Sequence, residues 1–381
     1  MHGCDVTLNL QRLDKLAAYE FSDLTVSVQA GMTLATFGRI LQEHNQFVPL
    51  DAPLAKKATI GGTLASGWLG PRRHFYGRIR DFVIGCKVVL ADGTPASAGG
   101  MVVKNVTGYD MSKLYIGSLG TLAIFVQCNF KTLPAPKSVR ALLCRLPENT
   151  RSRAIAQVSE LKIAPSVAVA IKGFQKAIDG EDGLDGRLLF MFEGTPAVIE
   201  RATRDVRSAL GKAGVPETVV IDRSVSQLFE RLLDGYVKPL GQRSVTYRSI
   251  GLSEQADARS TRMLQVGRQH HLHPEMIADL MNGDVTLRVA ERDAEKFAAR
   301  ILPFDDAFHT AFPNAAVIAA PDSLRDTLNV WGELPPAIDK MRRLKAQFDP
   351  KGILNPGRFI GDPAYPASNA PRHPDAPTMS F

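Results

Sequence analysis

A glycine-rich stretch with nearby hydroxyl groups is the first feature of the sequence that could bind a ligand. It reads TIGGTLASG at residues 59–67. Glycines let a backbone approach a ligand closely, and amide groups in such a concavity bind phosphate oxygens without a cationic side chain. An isolated Gly-Gly step is more often an ordinary turn, and these residues taken alone favour that alternative.

A cluster of arginines follows, because Arg72, Arg73, Arg78 and Arg80 fall within nine positions. Their guanidinium groups could donate paired hydrogen bonds to a carboxylate, a phosphate or an acidic partner surface. A run of charge is more commonly a solvated loop. The sequence alone leaves both interpretations open.

A third stretch, KNVTGYDMSKLYIGSLGTLAI at residues 104–124, combines a short helix with a glycine turn. Asp110 can cap the helix, and Leu114 and Tyr115 can pack it. The turn from Gly117 to Gly120 leads into residues that alternate apolar and polar side chains. This alternation is typical of a half-buried strand.

Helices and strands must hold these stretches in position, and the periodicity of apolar residues predicts where they lie. A helix capped by Thr33 is expected between the first two strands of the N-terminal part. The expected strands are 24–28, 83–90 and 122–130 and, beyond Pro136, 188–192, 219–221, 245–250, 285–289 and 316–319. The second group alternates with helices and predicts an open antiparallel sheet with helices on one face. We detect no internal repeat.

Composition limits the classes of protein. A chain of 381 residues suggests about two domains. Lys and Arg exceed Asp and Glu by 46 − 39 = 7 without dense basic runs, which disfavours a nucleic-acid binder and suits a small organic anion. The cysteines at positions 4, 86, 128 and 144 form no CxxC pair, so they predict no iron–sulfur or zinc site. No signal peptide and no apolar run of about 20 residues is seen, so we expect a cytoplasmic chain without a membrane span.

Four motifs occur together in one order. They are TIGG, then RIRDFV with VVLADG, then residues 104–124, then FDPKGILNPGR. This succession resembles the FAD-binding fold of the vanillyl-alcohol oxidase and p-cresol methylhydroxylase flavoprotein superfamily. Within that group the chain is most similar to the FAD-binding E subunit of bacterial glycolate oxidases, through GPRR at 70–73 and VKNVTGYD at 103–110.

The resemblance implies an α+β fold class with two domains. Residues 1–136 would form an FAD-binding domain of the p-cresol methylhydroxylase type, and 137–334 an α+β cap of the ferredoxin-like kind. A helix after Pro335 and Pro336 and a turn-rich loop, residues 335–360, would return to the FAD domain. Residues 361–381 are Pro-rich with little apolar content and are expected to be a disordered tail.

The resemblance also implies which residues contact FAD. Those expected along the pyrophosphate and ribityl chain are Ile60, Gly61, Gly62, Thr63, Ser66 and Gly67. Main-chain contacts near the adenine are expected from Gly120, Thr121 and Ile124, and further contacts from Asn105, Gly108 and Tyr109. Asn355 is expected to return to the flavin domain from the C-terminal segment.

Two departures from the family pattern bear on the flavin. Relatives carry a glycine-rich phosphate loop near the N-terminus, whereas this sequence starts later, with His2-Gly3 at most a remnant of it. We therefore expect either a start upstream of Met1 or weakened flavin binding. Relatives also often have Glu at the position of Leu119, and its replacement removes a carboxylate while keeping the turn.

The implied function is an FAD-binding subunit of a glycolate-oxidase-like 2-hydroxy-acid dehydrogenase. It would pass electrons toward an iron–sulfur partner subunit, beside a sister flavoprotein subunit that could hold the complex at the inner membrane. Two alternatives stay open: a non-catalytic assembly subunit that docks through the arginine cluster, and a stand-alone FAD-dependent alcohol or hydroxy-acid oxidase. His270, His271 and His273 are not expected to bind a metal, because no carboxylate or cysteine at ligand spacing completes a site. No catalytic base is identified, because the sequence lacks the EHG-type motif of the related catalytic subunit.

Overall fold

A computed structural model describes residues 5–101, 109–174, 186–215, 218–237, 243–324 and 326–360. The strands are β1 (Leu16–Glu20), β2 (Thr25–Gln29), β3 (Gln46–Phe47), β4 (Val83–Val89), β5 (Pro95–Gly99), β6 (Ile124–Lys131), β7 (Leu133–Pro134), β8 (Ser138–Leu146), β9 (Val167–Lys172), β10 (Gly186–Gly194), β11 (Thr218–Ile221), β12 (Ser244–Ser249), β13 (His273–Asp279), β14 (Val285–Ala290) and β15 (Ala316–Ala319). The α-helices are α1 (Leu34–Gln42), α2 (Ile60–Ser66), α3 (Arg73–Tyr76), α4 (Ser112–Tyr115), α5 (Arg151–Ser159), α6 (Pro196–Lys212), α7 (Val225–Gly235), α8 (Ala256–Gln269), α9 (Ala294–Ala311) and α10 (Ile338–Phe348).

The chain divides into two compact units. Unit 1 comprises Met1–Leu69, Arg78–Ala135 and Leu334–Phe381, and unit 2 comprises Gly70–Gly77 and Pro136–Glu333. The sequence-based division assigned residues 70–77 to the first domain. In the structure this segment packs in unit 2, because several of its side chains form hydrogen bonds and ion pairs there, as described below.

Unit 1 contains an antiparallel five-stranded sheet of order β1-β2-β6-β4-β5, with β3 and β7 paired separately. The predicted helix after the first turn is confirmed as α1, whose N-cap Thr33 accepts a hydrogen bond from the amide of Thr36 at 3.2 Å. Its apolar stripe is buried, and Phe37 packs on Phe130 of β6 with ring centroids 5.5 Å apart. This packing holds the loops that follow β2 and precede β6 on one scaffold.

Unit 2 is built on an antiparallel eight-stranded sheet of order β11-β8-β10-β9-β13-β14-β12-β15. Its strands and helices form two βαββαβ motifs, the first from β8 to β11 and the second from β12 to β15. Both have the strand order of a ferredoxin-like fold, and β9 of the first motif pairs with β13 of the second. The α+β class is therefore confirmed, and the structure contains a repeat of topology that the sequence analysis missed.

Helices cover both faces of the unit 2 sheet, so the expectation of helices on one face was wrong. Residues of α6, α8 and α9 belong to one apolar cluster that includes Met276 of β13. Helix α7 lies on the other face, since a Cβ on Gly235 would meet Ile277 at 3.6 Å and Phe174 at 3.7 Å. The physical reason is that central strands such as β9 are continuously apolar and must be covered on both sides.

The described cysteines are free, buried thiols. They are Cys86, Cys128 and Cys144, and Cys4 lies outside the described residues. Burial raises the pKa of Cys86 to about 12, which keeps this thiol protonated and unreactive. Within the ranges given above, no His, Cys, Asp and Glu side chains gather into a metal-binding group, and no helix is long and apolar enough to cross a bilayer.

Candidate functional site

The glycine-rich stretch forms the short helix α2, which Thr59 caps. The amides of its first turn already have acceptors: Ile60 donates to the Met32 carbonyl at 2.9 Å, Gly61 to the Ala30 carbonyl at 2.7 Å, Gly62 to Thr59 Oγ1 at 3.2 Å, and Thr63 to the Thr59 carbonyl at 2.9 Å. These four N–H groups are therefore not free donors for a phosphate. That α2 contacts the FAD pyrophosphate stays a prediction, although these four amides are used within the protein.

Gly61 serves packing instead. A Cβ at this position would lie 2.9 Å from the Cβ of Ala30 and 3.1 Å from its carbonyl oxygen. The missing side chain lets α2 lie directly on the turn that follows β2. Ile60 and Thr63 are buried in the same contact, whereas Gly62 and Ser66 remain exposed.

The end of α2 joins the second glycine turn. Gly67 ends the helix with φ of +59°, and a Cβ there would lie 2.8 Å from the Cα of Gly117. The turn is bonded along α2, because the Gly117 amide donates to the Leu64 carbonyl at 2.9 Å and the Leu119 amide to the Ala65 carbonyl at 2.7 Å. Residues 60–67 and 117–120 thus form one backbone structure whose close approach requires glycine.

This turn contains two polar groups that have no hydrogen-bond partner among the described residues. Ser118 Oγ is buried and has no hydrogen-bond partner in the described part of the chain. The Gly120 amide likewise donates to no acceptor among the residues described. A buried hydroxyl left unpaired costs about 1–3 kcal/mol, so such groups are normally satisfied by water or a ligand. The turn therefore offers donors to a ligand with oxygen acceptors, which the phosphates, ribose and flavin carbonyls of FAD supply.

The C-terminal segment fastens this turn. Asn355, with φ of +44°, donates from Nδ2 to the Leu119 carbonyl at 2.7 Å. A Cβ on Gly120 would lie 2.6 Å from that same Nδ2, so the side-chain amide fills the space that the glycine leaves. Asn355 therefore returns to unit 1 and contacts the turn directly.

A half-buried lysine provides a second link to the turn. Lys345 Nζ donates to the Thr121 carbonyl at 2.9 Å and to the Leu354 carbonyl at 3.2 Å. It also pairs with Asp349, whose buried carboxylate accepts hydrogen bonds from the amides of Ile353 and Leu354. These bonds hold the pKa of Asp349 below its usual value, although burial opposes them. One charge pair thus connects helix α10, the C-terminal loop and Thr121.

Of the remaining predicted site residues, Thr121 belongs to this cluster, and two lie outside the described residues. Tyr109 is 93% exposed, so it does not pack on the turn. Ile124 begins β6 and is half-buried, and Thr121 is buried with its amide donating to the Ser118 carbonyl at 3.0 Å. Asn105 and Gly108 fall outside the described residues.

Sequence reasoning missed Ser118 and Lys345. Ser118 lies in a glycine turn that the sequence analysis identified. The sequence does not reveal, however, that its hydroxyl has no hydrogen-bond partner among the described residues. Lys345 precedes Asp349 by four residues at a helix end, and this spacing alone would have suggested their ion pair.

Two arginines of the cluster, Arg72 and Arg73, form ion pairs inside unit 2. Arg73 donates to both carboxylate oxygens of Asp284, at 2.9 and 2.7 Å, and Arg248 contacts the same carboxylate at 2.6 Å. Arg72 lies 3.4 Å from Glu193, which also accepts from the Tyr76 hydroxyl at 2.7 Å. Two of the four arginines are therefore paired within the protein. The hypothesis of a docking surface made of all four loses its support.

A buried carboxyl next to this segment should make unit 2 sensitive to pH. Burial raises the pKa of Asp279 to about 6, although hydrogen bonds from Asn282 oppose the shift. The unfolded chain loses this proton near pH 3.9, so the stabilisation is full below that pH and is lost as pH rises through about 6. We expect the free energy of unfolding of unit 2 to fall by on the order of 2–3 kcal/mol between pH 4 and 6.5 from this group.

Urea unfolding measures this pH effect. Each unit contains one of the two tryptophans, Trp68 in unit 1 and Trp331 in unit 2, so a Trp68→Phe background reports on unit 2 alone. Asp279→Asn should flatten the dependence, whereas Glu254→Gln, at an exposed carboxyl, should leave it. An Asp279→Asn chain that keeps the full fall would contradict this assignment.

Comparisons with known proteins agree with this geometry. Residues 2–99 match the family model of the FAD binding domain, and residues 333–359 match that of the C-terminal domain of FAD linked oxidases. The glycolate oxidase subunit GlcD of Bacillus subtilis is 26% identical over 94% of this chain and 80% of its own length. The glycolate oxidase subunit GlcE of Escherichia coli is 32% identical over 45% of this chain, a match that spans about half (49%) of GlcE.

Solved structures show the same fold. The crystal structure of p-cresol methylhydroxylase with substrate bound matches 92% of this chain and 79% of its own, with a TM-score of 0.68 at 17% identity. A 4-ethylphenol oxidase from Gulosibacter chungangensis matches 91% of this chain and 78% of its own, with a TM-score of 0.64 at 16% identity. The sequence and fold matches together confirm the resemblance of this chain to the FAD-binding superfamily of vanillyl-alcohol oxidase and p-cresol methylhydroxylase.

Proposed function

We propose that this chain is the FAD-binding subunit of a dehydrogenase for small 2-hydroxy acids such as glycolate or lactate. The observation that carries the proposal is the turn from Gly117 to Gly120, which offers an unpaired hydroxyl and an unpaired amide beside the end of α2. Relatives named glycolate oxidase and D-lactate dehydrogenase support the substrate class. When bound, FAD supplies the two-electron oxidation of the hydroxyl-bearing carbon.

Some residues would donate hydrogen bonds to the cofactor, and others would hold the donors in position. The Gly120 amide and Ser118 Oγ would donate to its oxygens, and Gly67 would keep the two backbone segments close enough to form the site. Lys345 and Asn355 would act as positioning residues. Each donates a hydrogen bond to a backbone carbonyl in or next to the turn and would not itself contact the cofactor. Of the residues expected at α2, exposed Gly62 and Ser66 remain proposed contacts.

Electron transfer beyond the flavin requires another chain in this proposal. The described cysteines are buried singly or as the cross-strand pair Cys86 and Cys128, and none belongs to a CxxC motif. We therefore assign the iron–sulfur cluster to a partner subunit, beside a sister flavoprotein subunit. The names of the relatives GlcD and GlcE, both called subunits of glycolate oxidase, support this arrangement.

Ser118→Ala should weaken FAD binding without harming the fold. The change removes one donor to the cofactor, for which we expect a five- to tenfold higher dissociation constant, equivalent to about 1 kcal/mol. The free energy of unfolding of the cofactor-free chain should stay equal or rise, since a buried unpaired hydroxyl is lost. Flavin fluorescence titration and urea unfolding measure the two effects. Ser97→Ala, at an exposed serine of β5, is the matched control, and equal FAD affinity in both variants would remove Ser118 from the site.

Anaerobic reduction tests the proposed function. The full chain is co-expressed with its genomic neighbours, its bound flavin is extracted and identified, and the complex is mixed with glycolate, D-lactate and D-2-hydroxyglutarate without oxygen. Loss of the visible flavin absorbance with at least one acid is expected. A chain that carries no FAD on extraction would overturn the proposal.

The same samples separate the alternatives. Flavin that stays oxidised with every acid, yet is reduced once the sister subunit is present, would refute oxidation on this chain and indicate electron relay. Rapid reoxidation by oxygen with release of hydrogen peroxide would indicate a stand-alone oxidase. Electron transfer to an iron–sulfur partner, followed by electron paramagnetic resonance, is the result we expect.

A further inference from the structure

A polar groove lies on unit 2, away from any residue assigned above. It has a volume of about 480 Å³ and lies between helix α6 and β11, a strand at one edge of the sheet. The residues lining it are Glu200, Thr203, Arg204, Arg207, Ser208, Gly211, Val215 and Thr218. Those from α6 recur at intervals of three or four positions, so they share one face of the helix.

Among the described residues, the positive charge of the groove is only partly balanced. Glu200, the one carboxylate among the described lining residues, is paired with Arg140 at 2.7 Å. Arg204 has only a long contact with Asp205, at 3.8 Å. Arg207 has no ion pair within the described chain. An exposed guanidinium in a concave wall is suited to a carboxylate or a phosphate, which it can bind through two parallel hydrogen bonds.

A buried hydroxyl in the groove also lacks a partner. Thr203 is 4% exposed and its Oγ1 forms no hydrogen bond with any described residue. A helical threonine normally satisfies its hydroxyl on the carbonyl four residues earlier, so an unpaired one is unusual. Thr218 stands on the strand side of the groove and hydrogen-bonds the Cys144 thiol. Hydroxyl groups therefore accompany the guanidinium groups.

Gly211 borders open space in the groove. A Cβ at this position would meet no atom within 4 Å, and its φ lies outside the region that requires glycine. Neither packing nor backbone conformation explains a glycine here, inside a helix, where it costs about 1 kcal/mol relative to alanine. A large side chain at this position, unlike a single Cβ, would therefore extend into the open space of the groove.

We propose that this groove is a binding site for a small organic anion, separate from the flavin. A carboxylate or phosphate group of the ligand would bind Arg207 and Arg204, and its other polar atoms would reach the hydroxyls of Thr203 and Ser208. The volume lies within the range of about 300–1,000 Å³ that is common for small-molecule sites. The proposal does not depend on FAD binding or on the activity of unit 1.

Isothermal titration calorimetry on the full chain tests the proposal with two probes, malonate and inorganic phosphate. Ionic strength is held constant with sodium chloride, so that general charge screening is equal in all samples. We expect saturable binding of at least one probe. Binding of malonate alone would indicate a dicarboxylate ligand, binding of phosphate alone a phosphate ester, and binding of both the shared anion chemistry.

Two pairs of variants make the test specific. Arg207→Gln and Gly211→Leu should each weaken probe binding at least tenfold, the first by removing the charge and the second by filling the groove. Arg201→Gln, on α6 but outside the groove, and Gly211→Ala should stay within twofold of the unchanged chain. Flavin content and thermal midpoints of all four variants show whether the fold is kept. The proposal fails if neither probe binds saturably, or if Arg201→Gln weakens binding as much as Arg207→Gln.

Discussion

Replacing Asp284 by asparagine should lower the free energy of unfolding of unit 2 by about 3–5 kcal/mol. Asp284 is 2% exposed and is the shared partner of Arg73 and Arg248, whose side chains are each 11% exposed. Its loss removes the carboxylate that the two largely buried guanidinium groups share, and breaking a buried ion pair by removing one partner is far more costly than replacing the whole pair. Urea unfolding followed by Trp331 fluorescence in a Trp68→Phe background measures the effect.

The matched control is an exposed ion pair in the same unit. Asp205→Asn removes the partner of Arg201, whose side chain is 78% exposed, and should cost less than about 1 kcal/mol. Adding Arg73→Met to Asp284→Asn should recover part of the loss, because one of the unpaired charges is then removed. Equal costs for Asp284→Asn and Asp205→Asn would show that the arginine segment is not anchored through Asp284.

The anchoring of residues 70–77 also shows what local patterns cannot reveal. Thr33 and the apolar residues of α1 lie within nine positions of each other, so spacing was enough to predict that helix and its cap. Arg73 and Asp284 are separated by 211 positions, and the sequence near either residue gives no sign that it pairs with the other. The sequence therefore marked the arginines as notable, but only the fold shows that two of them are used internally.

The same distinction applies to the repeat in unit 2. The apolar runs predicted five of the eight strands of the two βαββαβ motifs, and β8, β9 and β13 were missed. The equivalence of the two motifs lies in strand order, which depends on pairings such as β9 with β13 and not on any recurring letters. A search for recurring residues could not have found it.

At the cofactor site, the sequence identified the two glycine segments but not the function of each glycine. The amides of α2 were expected to be free because glycines often mark phosphate-binding loops. Their occupancy depends on the Ala30 and Met32 carbonyls, which come from a turn some 30 residues earlier. The free donors lie instead on the second segment, at Ser118 and Gly120. In the proposed site, α2 supports the turn, and the turn would offer the donors to FAD.

Gly67→Ala should therefore affect FAD binding strongly although Gly67 need not donate any hydrogen bond. Its φ of +59° costs an alanine about 1–2 kcal/mol, and the new Cβ would meet backbone of Gly117 at 2.8 Å, which has no side chain to move aside. The turn must shift away from α2, and Ser118 and Gly120 shift with it. We expect at least a tenfold higher dissociation constant for FAD, measured by flavin fluorescence titration, together with a lower unfolding midpoint of unit 1 reported by Trp68.

Gly93→Ala separates the effect of strain from that of displacement. Gly93 also has a positive φ, +86°, in the turn between β4 and β5, and a Cβ there would meet nothing within 4 Å. This variant should lose a similar amount of conformational free energy in unit 1 while keeping its affinity for FAD, because no part of the proposed site moves. If Gly93→Ala weakens FAD binding as much as Gly67→Ala, stability alone governs affinity. The close contact between Gly67 and Gly117 then has no specific part in forming the site.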